Sequence, residues 1–153
     1  MSNWIDEEAE KFREFAMKST QRAQIIARSQ FWSQLRQQVE SDAAVINRHP
    51  VWKQALGDEN VTVHDIENGF EIRKLWLPAV YVRVVNEGYD IHVETEIAES
   101  IEEAKTSAES LRVIESNGRV QLKGERGSYL VPEQASKHFF EPILKSFRAI
   151  YTT

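Results

Sequence analysis

The sequence contains no cysteine. This absence excludes a disulfide framework, an iron–sulfur cluster, a thiolate zinc site and a cysteine nucleophile, and it fits a reducing compartment. Long apolar runs are missing too, since none approaches the ~20 residues that a bilayer-spanning helix needs. The first residues, "MSNWIDEEAEKF", are acidic and unlike a signal peptide. We therefore expect a cytoplasmic protein that does not enter a membrane.

Glycine is scarce, with 6 in 153 residues, and no GxGxxG or Walker A phosphate loop is present. A basic segment is also missing. The net charge is −5, and residues 51–100 carry 10 acidic and 4 basic side chains. Nucleic-acid binding needs a basic footprint, so we expect no nucleic-acid partner. We also expect no cofactor.

The composition is that of one globular domain, because 41% of the residues are hydrophobic and 28% are charged. We interpret residues 1–153 as a single domain. Residues 1–49 contain neither glycine nor proline, so this region can be helical throughout. Its apolar side chains form two stripes of helical spacing, Ile5, Phe12 and Phe15 and then Trp32, Leu35 and Val39. The spacing breaks between them, which predicts either two helices or one long bent helix.

Beyond Pro50, which ends the helical region, the hydrophobic period changes from that of a helix to that of a strand. Residues 61–125 are typical of an antiparallel meander of about five strands, with a hairpin turn at "NEGY". The polar segment 98–109 is interpreted as a short helix or an exposed loop. A C-terminal helix is predicted over 132–151 and should pack on the sheet. The order of elements predicts an α+β fold.

A second hairpin is indicated by Asn117-Gly118, the dipeptide preferred in two-residue type I′ turns. Its register places Arg112 opposite Lys123. In the first hairpin, a tight turn at Glu87-Gly88 would place His92 opposite Arg83, Glu94 opposite Tyr81 and Glu96 opposite Ala79.

The alternating residues His92, Glu94 and Glu96 are the strongest chemical signal in the chain. A metal site needs three or four converging ligands, and no second histidine lies on this strand face. The pattern therefore favours the solvated side of an ordinary strand. The second interpretation is a binding surface formed with Tyr81 and Arg83, and the third is metal ligation or catalysis.

We conclude that a non-catalytic protein-binding or scaffolding module, forming a homodimer, fits the sequence best. The N-terminal region has more apolar helix surface than one small sheet can cover, and a self-complementary helix pair would cover the excess. The denser Trp32 stripe should pack on the protein's own sheet. Ile5, Phe12 and Phe15 should then bind a second copy or another protein. The alternative is a small-molecule or lipid-binding module with a cavity between the sheet and the C-terminal helix.

Overall fold

A computed structural model of the chain describes residues 3–116, 119–125, 127–129 and 131–148. It shows the predicted α+β architecture, with a long N-terminal helix, an antiparallel meander and a C-terminal helix packed on the sheet. The elements are α1 Trp4–Arg48, α2 Pro50–Leu56, β1 Thr62–Ile66, β2 Gly69–Lys74, β3 Ala79–Asn86, β4 Asp90–Ala98, β5 Ala104–Ser116, β6 Arg119–Gly124, β7 Gly127–Tyr129 and α3 Pro132–Arg148. Within the described ranges the meander has seven strands in sequence order, rather than about five.

The N-terminal region is one helix of 45 residues, which decides between the two predicted forms. Asn3 caps it, because the Asn3 side chain accepts a hydrogen bond from the Ile5 N–H at 3.2 Å. The helix ends at Arg48 because His49 precedes a proline and has an extended backbone with ψ of 126°. None of the helices in the described part of the chain is both long and apolar enough to cross a membrane.

One face of the sheet carries the core. Phe70, Val84 and Val93 lie opposite one another on β2, β3 and β4, and all three are buried. The C-terminal half of α1 and helix α3 cover this inner face. The Trp32 ring lies 5.5 Å from the Phe70 ring between centroids, and Leu35 is 0% exposed. The prediction that the Trp32 stripe packs on the protein's own sheet is confirmed.

Polar contacts fix α1 to the rest of the domain. The Ser136 hydroxyl on α3 donates a hydrogen bond to the Asp42 carboxylate at 2.6 Å, and Ser136 is fully buried. Near the middle of α1, Arg28 forms an ion pair of 3.4 Å with Glu115 on β5 and covers the ring of Tyr89. Residues beyond Arg28 towards the C-terminus are therefore held to the body of the protein.

The β3–β4 hairpin pairs two residues away from the predicted register. Asn86 lies opposite Ile91, so residues 87–90 lie beyond the last β3–β4 pair, in place of a tight two-residue turn at Glu87-Gly88. The Glu87 N–H donates to the Asp90 carbonyl at 2.9 Å, and Gly88 adopts a φ of 94°. Because strands repeat every two residues, a shift of two leaves each side chain on its predicted face.

The second hairpin has the predicted register, because Arg112 lies opposite Lys123. The turn residues Asn117 and Gly118 lie outside the described residues. The predicted C-terminal helix 132–151 is described as far as Arg148, where α3 ends.

The prediction of a helix or loop over 98–109 is wrong. Residues 99–103 turn the chain, and β5 begins at Ala104 and extends for 13 residues. The long strand β4 would otherwise leave a row of unpaired N–H and C=O groups. Pairing Glu96 with Thr106 and Ala98 with Ala104 satisfies them. Similarly, β7 extends the sheet beyond the predicted limit at residue 125.

Two substitutions in α1 test this packing. Leu35 is 0% exposed, whereas Val45 on the same helix is 51% exposed. We expect Leu35→Ala to lower the free energy of unfolding by about 2–5 kcal/mol through lost burial and a cavity. Val45→Ala should change it by less than about 0.5 kcal/mol. Urea denaturation measures both values. A Leu35→Ala variant as stable as the Val45→Ala control would show that this half of α1 does not pack on the sheet.

Candidate functional site

The five side chains predicted as a binding surface lie on the outer face of the sheet, opposite the core. Arg83 lies across from Glu94, with 3.5 Å between the Arg83 Nη1 and Glu94 Oε1 atoms. Tyr81 lies across from Glu96. His92 lies across from Val85 rather than from Arg83. The predicted pairs were therefore wrong, although all five residues do lie on one face of β3 and β4.

The most deeply buried charge on the outer face is Glu71, which sequence reasoning missed. Glu71 on β2 is 3% exposed and accepts hydrogen bonds from Arg73 and Arg83. The alternation in "FEIRKL" was an available signal, because it places Glu71 and Arg73 on one face and pairing with β3 adds Arg83. Arg83 thus bridges a buried carboxylate and Glu94.

The negative charge of Glu71 is compensated within this cluster by Arg73 and Arg83. Burial by itself raises the pKa of Glu71, but the hydrogen bonds and positive charges of Arg73 and Arg83 outweigh that effect and lower the pKa below its ordinary 4.5. Among the described residues, no group of three or more histidine, aspartate or glutamate side chains could hold a metal ion. The charges of Glu71, Arg73, Arg83 and Glu94 are thus matched to one another.

The N-terminal half of α1 forms a separate surface. We call residues 4–26 the arm, and each of them is exposed. At 1.5 Å per residue the arm is roughly 35 Å long. Its predicted interface residues Ile5, Phe12 and Phe15 are 55%, 71% and 68% exposed. Trp4, Met17, Ile25 and Ile26 are other large apolar residues that the arm exposes.

The two apolar stripes of α1 lie on opposite sides of the helix. At 3.6 residues per turn, the centre of the Ile5, Phe12 and Phe15 stripe is roughly 170° from the centre of the Trp32, Leu35 and Val39 stripe. The arm stripe therefore points away from the side of α1 that contacts the sheet. Bringing it into the protein's own core would require a break or a large twist in the helix.

A cleft of about 1040 Å³ opens between the inner face of the sheet and α3. Val82, Val93 and Ile97 of the sheet and Phe139 and Pro142 of α3 give it an apolar lining. It lies towards the end of the sheet where β3 begins and β4 ends. The volume is close to the upper end of the range found for small-molecule sites, about 300–1,000 Å³.

The rim of the cleft is rich in hydrogen-bond acceptors. Four carboxylates are among its described lining residues, on Glu99, Glu109, Glu125 and Glu141. Lys145 and His138 are the basic side chains in that described lining, and His138 is hydrogen-bonded to Glu109. Pro142 has no N–H to donate to the carbonyl of His138, one turn before it in α3. The lining therefore suits a ligand with an apolar body and a cationic or hydrogen-bond-donating group.

A buried lysine lies behind the cleft. Lys74 is 1% exposed, and its Nζ donates to the carbonyl of Pro78, a lining residue, at 2.6 Å. The ammonium also lies 5.1 Å from the centre of the Phe147 ring. Burial lowers the pKa of Lys74 to about 8. Lys74 is not a lining residue of the cleft, so we assign it to the junction between β2 and α3.

The Glu71 cluster leads to a prediction about pH. Because the folded-state pKa of Glu71 is lowered, its stabilising effect is present above pH 4.5 and is lost as the pH falls through the folded-state value. We expect Glu71→Gln to reduce the free energy of unfolding by about 1.5–3 kcal/mol at pH 7, as for hydrogen bonds to charged groups. The difference from the wild type should shrink below pH 4.5.

Denaturant titrations at several pH values measure this difference. The exposed Glu67→Gln, in the turn before β2, is the matched control and should show almost no difference at any pH. A Glu71→Gln deficit that stays constant down to pH 3 would contradict the assigned ion pairs.

Comparison of the chain with protein family models, curated proteins and solved structures found no match.

Proposed function

We propose that the protein is a non-catalytic protein-binding and scaffolding module that assembles through its arm, with a second copy of the same chain as the partner. One observation carries the proposal: every residue of the arm is exposed, although the arm carries seven large apolar side chains. An apolar surface of this kind on an otherwise well-packed protein marks an interaction site.

Helix energetics support a partner for the arm. Helical segments gain most of their stability in proteins from packing an apolar face, and isolated helices of moderate length are marginal in water. Within the arm, the stabilising contacts include the exposed pairs Lys11–Glu8 and Arg13–Glu10, and such pairs contribute only a few tenths of a kcal/mol each. A partner helix on the arm stripe would supply the missing burial, at roughly 1.5–3 kcal/mol for each phenylalanine side chain.

The charges favour this role over the other classes. Of the three outer-face residues that most resembled catalytic groups, Glu94 is ion-paired with Arg83. The arm is not basic enough to act as a nucleic-acid footprint. The lack of cysteine favours the cytoplasm as the location.

The arm proposal predicts the effect of charge on assembly. Phe12→Glu combined with Phe15→Glu places two carboxylates on the arm stripe and should convert a dimer to a monomer while the sheet stays folded. Met17→Glu combined with Gln24→Glu adds the same charge on the other side of the arm and should leave the dimer intact. Light scattering measures the mass, and circular dichroism reports the fold.

Two results would contradict this proposal. A wild type that is monomeric at high micromolar concentration would remove the homodimer. A Phe12→Glu, Phe15→Glu protein that unfolds, while the control stays folded, would show that the arm stripe belongs to a core.

The cleft favours a second candidate function, the binding of a small amphipathic molecule or lipid. Its floor is apolar, and its described rim carries more carboxylates than basic side chains. We propose that this ligand has an apolar chain and an amine or similar donor.

Calorimetry with octylamine and octanoate, which share a chain length, tests the cleft. We expect octylamine to bind more tightly. Thr95→Trp, in the cleft lining, should abolish that binding, whereas Thr106→Trp on the outer face of β5 should not. Equal binding of octylamine to both variants, or tighter binding of octanoate, would remove the cleft as the site.

A further inference from the structure

The arm carries a strict alternation of four-residue and three-residue steps. The row consists of Ile5, Ala9, Phe12, Ala16, Ser19, Ala23 and Ile26. This is the heptad spacing of a coiled coil, in which one helix packs its row against the row of another. Every second residue of the row forms one seam of the coiled coil. One seam consists of Ala9, Ala16 and Ala23, and the other of Ile5, Phe12, Ser19 and Ile26.

From this row and from the charges along the arm, we infer that two arms pair in antiparallel orientation. The inference rests on the proposed function, because it names how the arm surface meets a second copy. In a parallel pair in register, each alanine would face the same alanine and each phenylalanine the same phenylalanine, giving alternating gaps and crowding. In an antiparallel pair the alanine seam faces the seam with Ile5, Phe12, Ser19 and Ile26. Alanines then meet the large side chains of Ile5, Phe12 and Ile26, so the packing is more even than in the parallel pair.

The charge distribution favours the same orientation. Residues 6–14 carry five acidic and two basic side chains. Residues 15–26 carry Lys18 and Arg22 and no acidic side chain. An antiparallel pair sets the acidic end of each arm beside the basic half of the other. A parallel pair would set like charges side by side, which costs free energy.

The body of the protein leaves room for this partner. The arm row continues along α1 on the side away from the sheet, where Gln30, Ser33 and Gln37 are exposed. A second helix could therefore lie along this side without displacing Leu35 or Val39 from the core. The two bodies, each with its sheet and cleft, would then lie at opposite ends of the paired arms.

The distance between the two Gln34 positions of a dimer distinguishes the antiparallel from the parallel orientation. The chain has no cysteine, so Gln34→Cys creates a single site for a spin label just beyond the arm. At 1.5 Å per residue, an antiparallel overlap of the arms places the two Gln34 positions roughly 50–60 Å apart, whereas a parallel pair places them within roughly 25 Å. Pulsed electron–electron double resonance on the labelled dimer measures this distance.

Each outcome has a distinct meaning. A dimer with a long distance supports the antiparallel pair. A dimer with a short distance overturns the antiparallel inference and leaves the arm as an assembly surface. A monomer by light scattering, with the label in place and in the unlabelled wild type, overturns both.

A charge-reversal variant gives an independent measurement. Lys18→Glu combined with Arg22→Glu would place new carboxylates beside the acidic end of the other arm in an antiparallel pair. We expect the dimer dissociation constant to rise several-fold at low salt, with a smaller rise at high salt, where charges are screened. In a parallel pair the same variant would replace facing bases by facing acids, so an unchanged dissociation constant would overturn the antiparallel inference.

Discussion

A helix can bury only one side against a single sheet, and this constraint organises the molecule. Helix α1 has two apolar stripes on opposite sides, and the stripe of Trp32, Leu35 and Val39 packs on the inner face of the sheet. The helix is continuous, so this choice fixes the direction of the other stripe. Arg28, paired with Glu115, marks the point where α1 leaves the body. The exposure of the arm is therefore a consequence of how the core is packed.

The same packing shapes the cleft. The C-terminal half of α1 and helix α3 together cover the inner face around Phe70 and Leu122. In the described part of the chain the sheet has seven strands, two more than a five-strand meander. Part of the inner face near Thr95 and Ile97 is left lining a cleft rather than filling a core. Polar residues of β5 such as Ser107 and Glu109 can lie on the inner face there, because that part of it reaches the cleft.

Much of this fold could be predicted from the sequence, because strong local signals agree with tertiary packing. The Trp32 stripe, the alternation in β3 and β4 and the Arg112–Lys123 register all depend on periodicity or on a turn dipeptide. Where the local signal is weak, contacts with other parts of the chain determine the structure. Segment 98–109 is polar and tolerates a helix, but the open edge of β4 makes it a strand. The β3–β4 register depends on a loop hydrogen bond from Glu87 to Asp90 that no alternation reveals.

For the candidate sites too, features that depend on local periodicity were predictable and features that depend on tertiary packing were not. The two-residue alternation of a strand predicts on which face of the sheet a side chain lies, so the sequence correctly predicted that Tyr81, Arg83, Glu94 and Glu96 share a face. It did not show that Glu71 lies buried among the arginines. Ile5, Phe12 and Phe15 could be recognised as a stripe in excess of what one sheet can cover. The residues that line the cleft could not be predicted from the sequence, because the cleft depends on how far α3 extends over the sheet and the number of strands was not known.

The outer face of the sheet serves stability, because its buried charge is paired with neighbouring side chains of the same chain. The arm and the cleft are the surfaces available for binding. On the outer face, Glu71 is matched by Arg73 and Arg83, and Glu94 by Arg83. A partner there would have to replace interactions that the fold already makes. The arm presents apolar side chains between an acidic end and a basic half, and the cleft presents carboxylates above an apolar floor. Association at either surface buries apolar area that the fold leaves uncovered, which is the energetic reason to place function there.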